Sequence, residues 1–309
     1  MVRARGTLWV AAVVTVGTCF WCLPGPLQAV EPPVVSALLP ALGQQPGPQL
    51  PPQLTVKLND QVGLDLVLIP AGSFMMGSEG FDSDEKPVHK VNISQPFYMG
   101  KYEVTQEQWT ALNLTNPTKF VGPRRPVEDV KWEDCQKFLD ALSAKYRGSH
   151  FGLPTEAQWE YACRAGSTTA FCFGDDEGDM GRYAWYAKNS DKTTHPVGEK
   201  RANAWGLCDM YGNAYEWCQD WDGPYPAGDQ TDPTGAPTGV KRALRGGSFN
   251  SSAKACRSAN RAWTQPPYPP EIGGFRVVAP VEIAAQVDAS VPAPSAAPAK
   301  ERRNPRPKP

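Results

Sequence analysis

The sequence predicts a mixed α+β domain, rich in loops and short strands. Gly (28) and Pro (32) are plentiful among 309 residues and Trp (10) is frequent, so turns and large rings punctuate the chain more often than long regular segments do. Short apolar runs bounded by turn residues fill residues 64–102, the pattern of strands. Helix start signals follow them, at Thr105, near Trp132 and at Thr155.

Residues 64–70 read as a strand, turned by Ala71-Gly72 into a second strand over 73–77, a hairpin. Residues 91–93 and 97–102 continue the β-rich start. Thr105 caps a helix and Gln108, three residues on, closes a capping box. From Trp132, Cys135, Phe138, Leu139 and Leu142 recur at i, i+3, i+4 and i+7, one apolar helix face. Thr155 and Gln158 repeat the capping box, Trp159, Ala162 and Cys163 share a face, and Gly166 ends that helix. Residues 245–249 and 273–278 read as late strands.

The ends differ in character from the middle. Arg3 and Arg5 precede an apolar run over 8–23, and Ala29 offers a cleavage site, so residues 1–29 read as a signal peptide. The run is short for a membrane span, and the alternative is a retained anchor. The expected location is secreted or periplasmic, with no stable membrane span in the mature form. Residues 30–57, with seven prolines, read as a linker, 58–281 as the folded domain, and 282–309 as a disordered Pro/Ala-rich basic tail. The balance of 31 basic and 32 acidic residues gives no reason to expect a nucleic-acid partner. Oligomeric state is not legible.

Six cysteines, at 135, 163, 172, 208, 218 and 256, would remain after the leader leaves. In an oxidising compartment they could form up to three disulfides. His89, His150 and His195 are too far apart in sequence to signal zinc.

The stretch from Trp205 to Trp221 is the densest in chemistry. Gly212-Asn213 is a turn pair tolerant of positive φ, flanked by large rings and by Asp209 and Glu216. Such a loop presents oxygens to a hard cation or shapes a pocket floor. A core hairpin with solvated acids is the other reading.

Six blocks together resemble the sulfatase-modifying-factor family, whose best-known members are formylglycine-generating enzymes. They are Ile69-Pro-Ala-Gly-Ser-Phe-Met-Met-Gly77, Tyr102-Glu-Val-Thr105, Leu153-Pro-Thr-Glu-Ala-Gln-Trp-Glu-Tyr-Ala162, Gly206-Leu-Cys-Asp-Met-Tyr-Gly-Asn-Ala-Tyr-Glu-Trp217, Arg245-Gly-Gly-Ser248 and Gly274-Phe-Arg276. The resemblance implies a single domain related to the C-type-lectin-like fold. It implies calcium, held by Asp209, the carbonyls of Gly212 and Ala214, and Glu216, a donor set of the oxygen type that Ca²⁺ takes. A second calcium site would start at Asn189 and Ser190, although the loop after them is shorter than in the vertebrate-type pattern.

The resemblance further implies oxidation of a cysteine in a client protein or peptide, such as a sulfatase, by O₂ at a Cu⁺ held by two cysteines. Here Cys256 fills the second of those positions and Ser251 the first. A hydroxyl is a hard donor that does not replace a thiolate on Cu⁺. Ser248 matches the serine beside the oxygen site. Three readings stay open: an oxidase with a rearranged site, an oxidative tailoring enzyme for an exported small molecule, and a non-catalytic, calcium-stabilised lectin-like binding module. Cys256 is open between a catalytic thiol, a disulfide partner and a buried thiol.

Overall fold

The computed structural model describes residues 50–266 and 272–290. The expected leader lies outside them. Strands β1 (Gln53–Lys57), β2 (Gly63–Ile69), β3 (Gly72–Met76), β4 (His89–Ile93) and β5 (Phe97–Gly100) come first, followed by helices α1 (Gln106–Ala111), α2 (Trp132–Lys145), α3 (Glu156–Arg164) and α4 (Met180–Tyr183). After a long loop come β6 (Tyr215–Trp221), β7 (Gln230–Thr231), β8 (Arg242–Arg245), β9 (Ala262–Thr264), β10 (Gly273–Gly274), β11 (Val278–Pro280) and helix α5 (Ile283–Ser290). They build three small sheets, ordered β1-β2-β5-β11, β10-β6-β8-β9 and β3-β4-β7. This is the mixed, loop-rich architecture expected.

The local signals hold. Thr105 and Thr155 each accept the N–H three residues on, and Gln108 and Gln158 reach back to close both boxes. Residue Ala165 takes the left-handed conformation and Gly166 follows at φ +90°, which stops α3. On α2 all four predicted positions are buried. Phe138 stacks on Trp109 and meets Phe275 edge-on, so this face fixes α2 against α1 and the segment between β10 and β11. Each such ring contributes about 1.5–3 kcal/mol by leaving water.

Four expectations are corrected. The chain from 64 to 77 forms no hairpin: β2 has β1 on one edge and β5 on the other, leaving β3 to pair with β4. Residues 53–57, placed in the linker, form β1, whose alternation turns Leu54 and Val56 inward. The tail begins with α5, which buries Ile283, Ala284 and Val287. The late strand ends at Arg245, because Gly246 and Gly247 take φ of +90° and +75° and turn the chain out of the sheet. In addition, all six cysteines of the described residues are free thiols. Five of them are buried, where desolvation raises every one of their thiol pKa values and disfavours the reactive thiolate.

Candidate functional site

Gly212 and Asn213 form the turn, with φ of +76° and +54°. A Cβ on Gly212 would lie 2.0 Å from the Trp185 carbonyl oxygen, so only glycine fits. Backbone bonds rather than rings pin the turn. Gly212 N–H donates to the Gly246 carbonyl (2.8 Å), Asn213 N–H to that of Trp185 (2.8 Å), and Phe249 N–H to that of Asn213 (2.9 Å). The Asn213 amide accepts from His195 N–H and donates to Glu103 Oε2, both at 2.9 Å. One turn thereby ties together four distant segments.

Three buried carboxylates lie behind it: Glu103, Asp209 and Glu216. Arg276, fully buried, grips Glu216 with Nε and Nη2, each at 2.6 Å, and Trp159 Nε1 donates to Glu216 Oε2 at 2.7 Å. Asp209 Oδ2 accepts the Gly198 N–H at 2.7 Å, while Oδ1 is buried with no hydrogen-bond partner among the described residues. Burial pushes the Asp209 carboxyl up to about 6, against the pull of the Gly198 amide and Arg276. Glu103 is also raised, by burial first and then by Asp209 and Glu216. Three acids facing one guanidinium leave this interior short of positive charge.

The second cluster follows β8. The Ser248 N–H donates to Ser251 Oγ at 3.0 Å, and Ser251 Oγ lies 3.2 Å from Ser248 Oγ and donates to Tyr215 Oη at 3.3 Å. The amides of Ser248 and Gly212 both face the Cys256 sulfur. That sulfur lies directly beneath the glycine backbone, 2.6 Å from where a Cβ on Gly247 would stand. Cys256 is 0 % exposed, and burial pushes its thiol up to about 12. It is neutral at physiological pH. Phe249 and Asn250, between the two serines, line a cavity of about 430 Å³ together with Lys119, Phe120, Asp129, Lys192 and Ile272.

Residues 53–281 match the family described as the sulfatase-modifying factor enzyme 1-like domain. The chain belongs to this family. It is 30% identical to a formylglycine-generating enzyme of Streptomyces coelicolor, with 73% of this chain and 91% of the relative covered. It is 31% identical to a chaperone protein LppX of Paenibacillus barcinonensis, covering 53% and 74% respectively. Among solved structures, Treponema denticola variable protein 1 superposes with a TM-score of 0.69 at 29% identity, covering 74% of this chain and 99% of that one. PvdO from Pseudomonas aeruginosa gives 0.65 at 29% identity with the same coverages. These neighbours place the domain in the C-type-lectin-like group of folds.

Within the family's frame, the structure brings Ser248, Ser251 and Cys256 together around one amide. Their donor set does not fit a cuprous ion: one hydroxyl is already hydrogen-bonded to its neighbours, and the one sulfur is a buried neutral thiol. For calcium, Asp209 fits as a ligand through its orphaned oxygen, whereas both oxygens of Glu216 are held by Arg276. The Asn189–Ser190 segment is occupied by the protein itself. The Asn189 amide bonds to Tyr186 N–H and the Ala184 carbonyl, the Ser190 hydroxyl donates to the Phe249 carbonyl, and His195 Nε2 stands 2.7 Å from the Ser190 carbonyl oxygen. His195 in turn stacks on Trp185 at 3.7 Å between ring centroids. Sequence reasoning assigned no role to Glu103, Arg276 or Tyr215, though all three lie inside the blocks that carry the resemblance.

Proposed function

We propose that this chain is a binding protein of the sulfatase-modifying-factor family that does not carry out copper-dependent cysteine oxidation. The observation that carries the reading is the pairing at the second cluster, where a hydrogen-bonded Ser251 hydroxyl and a buried neutral Cys256 stand in for two thiolates. The Ser248, Ser251 and Tyr215 hydroxyls form one hydrogen-bonded group, and Phe249 and Asn250, between the two serines, line the 430 Å³ cavity, whose Lys119, Lys192 and Asn250 suit a polar ligand. The relatives bear names as different as an enzyme and a chaperone, which supports arguing activity from the site rather than the fold. Calcium at Asp209, with the Gly212 and Ala214 carbonyls, is part of the same reading, as a brace for the loop. So is export, carried by the leader. Among the described residues no helix is long and apolar enough to cross a membrane.

The test is an anaerobic Cu⁺ titration of the purified chain, then incubation with a Cys-x-Pro-x-Arg peptide and O₂. Wild-type protein is expected to hold no stoichiometric copper and to leave the peptide mass unchanged. Ser251→Cys places a second sulfur beside the Ser248 amide, and gained copper binding there would show a pocket that lacks only its metal ligand. One tightly held Cu⁺ in the wild type, with conversion of the peptide to the aldehyde, would overturn the proposal.

A further inference from the structure

Strand β6 ends beneath a loop, residues 222–241, that takes no part in either cluster above. The loop folds back on itself: Asp222 N–H donates to the Lys241 carbonyl at 2.8 Å, and Trp221 bridges to Ala236. Gly235, at φ +77°, lies so close to Asp220 that a Cβ there would stand 2.6 Å from the aspartate's own Cβ. Beneath the loop is a cavity of about 580 Å³, within the roughly 300–1,000 Å³ range of small-molecule sites. Trp221, Tyr225, Pro224, Pro226, Pro233 and Pro237 give it rigid, largely apolar walls.

The charged groups on those walls are, with one exception, already satisfied. Arg261 holds both oxygens of Glu156, at 2.7 and 2.9 Å, and spends its remaining hydrogens on the Asp84 and Gly223 carbonyls and on Asp222. Glu156 also receives Arg245. The Asp232 carboxylate accepts both the amide and the hydroxyl of Ser94. Asp220 is the exception. It is 3 % exposed and accepts the Glu156 N–H at 2.9 Å with Oδ2, and among the described residues no donor reaches Oδ1.

An anionic ligand would find no free hydrogen on Arg261 and several acids nearby. A purely apolar one would leave Oδ1 buried without a donor, at a cost of about 1–3 kcal/mol. A cation with an apolar stem avoids both penalties. We propose that this cavity is a ligand site for a primary ammonium group on a short apolar stem, with Asp220 as its anchor. The stem lies between the Trp221 and Tyr225 rings and the prolines, and the ammonium meets Oδ1. Burial, and Glu156 next, push the Asp220 carboxyl up to about 7, opposed by the Glu156 amide, Arg245 and Arg261. The other charged or titratable groups around it are Arg242 on β8, Cys218 on β6, Asp222, Tyr225 and Asp232 on the loop and His89 on β4. An alkylammonium stays protonated to about pH 10, so binding follows ionisation of the carboxyl. The ionised fraction of an acid titrating near 7 grows about tenfold from pH 6 to pH 8.

The test uses the full chain and titration calorimetry at pH 6 and pH 8, with pentylamine and Nα-acetyl-lysine amide as probes and pentanol and pentanoate as controls. At least one amine is expected to bind, about tenfold more tightly at pH 8, while neither control binds comparably. A preference for pentylamine points to a free amine, and a preference for the lysine derivative points to a peptide side chain. Asp220→Asn is expected to weaken amine binding at least tenfold and to abolish its pH dependence. If that variant does not fold, the wild-type pH pair decides alone. Absence of amine binding at millimolar concentration, equal affinity at the two pH values, or unchanged binding by Asp220→Asn would each overturn the proposal.

Discussion

Replacing Arg276 by methionine isolates one buried ion pair of the interior. The guanidinium is 0 % exposed, as is Glu216, and its two bonds to that carboxylate are 2.6 Å each. It also donates to the carbonyls of Gly100 and Cys208. Methionine keeps the stem's volume and removes the charge. Glu216 is then left with one Trp159 N–H, in the company of Asp209 and Glu103. Removing one partner of a buried pair costs about 3–5 kcal/mol, because the other charge stays buried. For a domain of this size that lowers Tm by roughly 6–20 °C. Urea unfolding in the presence of a chelator measures it, and the double variant Arg276→Met with Glu216→Gln should recover most of the loss. A loss under about 1 kcal/mol, or a double variant no better than the single, refutes the argument that Arg276 is there to neutralise Glu216.

Three further outcomes are expected. Gly247→Ala forces a Cβ to within 2.6 Å of the Cys256 sulfur at φ +75°, which should cost about 1–3 kcal/mol, with part regained by adding Cys256→Ala, measured by urea midpoints. Asp220 titrates near 7 in the fold against an ordinary value of 3.8. Between those values the folded chain holds a proton that the unfolded chain has released, so stability falls as pH rises from about 4 to 7 and stays reduced above; Asp220→Asn should flatten that slope by at least about 1 kcal/mol. If calcium braces the loop, EGTA should lower Tm and added calcium restore it, whereas Asp209→Ala should be insensitive to both; equal sensitivity in the two proteins would remove Asp209 from the ligand set.

What the sequence disclosed depended on how local each device is. The boxes at Thr105–Gln108 and Thr155–Gln158 span three residues, and the Gly212-Asn213 turn needs only its own φ angles, so all three could be read directly. The choice of strand partners is not local. Nothing in residues 64–77 says that β5, rather than β3, will take the second edge of β2. The carboxylate cluster was half legible for the same reason. Asp209 and Glu216 announce themselves beside the turn, but Glu103 bonds to Asn213 across 110 residues and Arg276 reaches Glu216 across 60. Helix α5 was hidden by composition, since an Ala- and Val-containing stretch in a Pro-rich end gives no sign of the core that receives Ile283 and Val287.

The blocks that carry the family resemblance turn out to be the parts of one buried scaffold. Trp159, Glu216 and Arg276 come from three different blocks and meet in a single hydrogen-bonded unit. Arg245 comes from a fourth and binds Glu156 and Glu160 of the helix that bears Trp159. The same strand leads into Gly246, whose carbonyl receives Gly212. Each of these residues is needed to bury the others' charges and to hold the turns where glycine alone fits. A sequence can therefore keep the whole set, and with it the fold, while a side chain outside the set varies. The Ser251 side chain sits outside that interlock, its hydroxyl bonded only to Ser248 and Tyr215, so a change there costs the scaffold little, and what the site does is argued from the site and not from the fold.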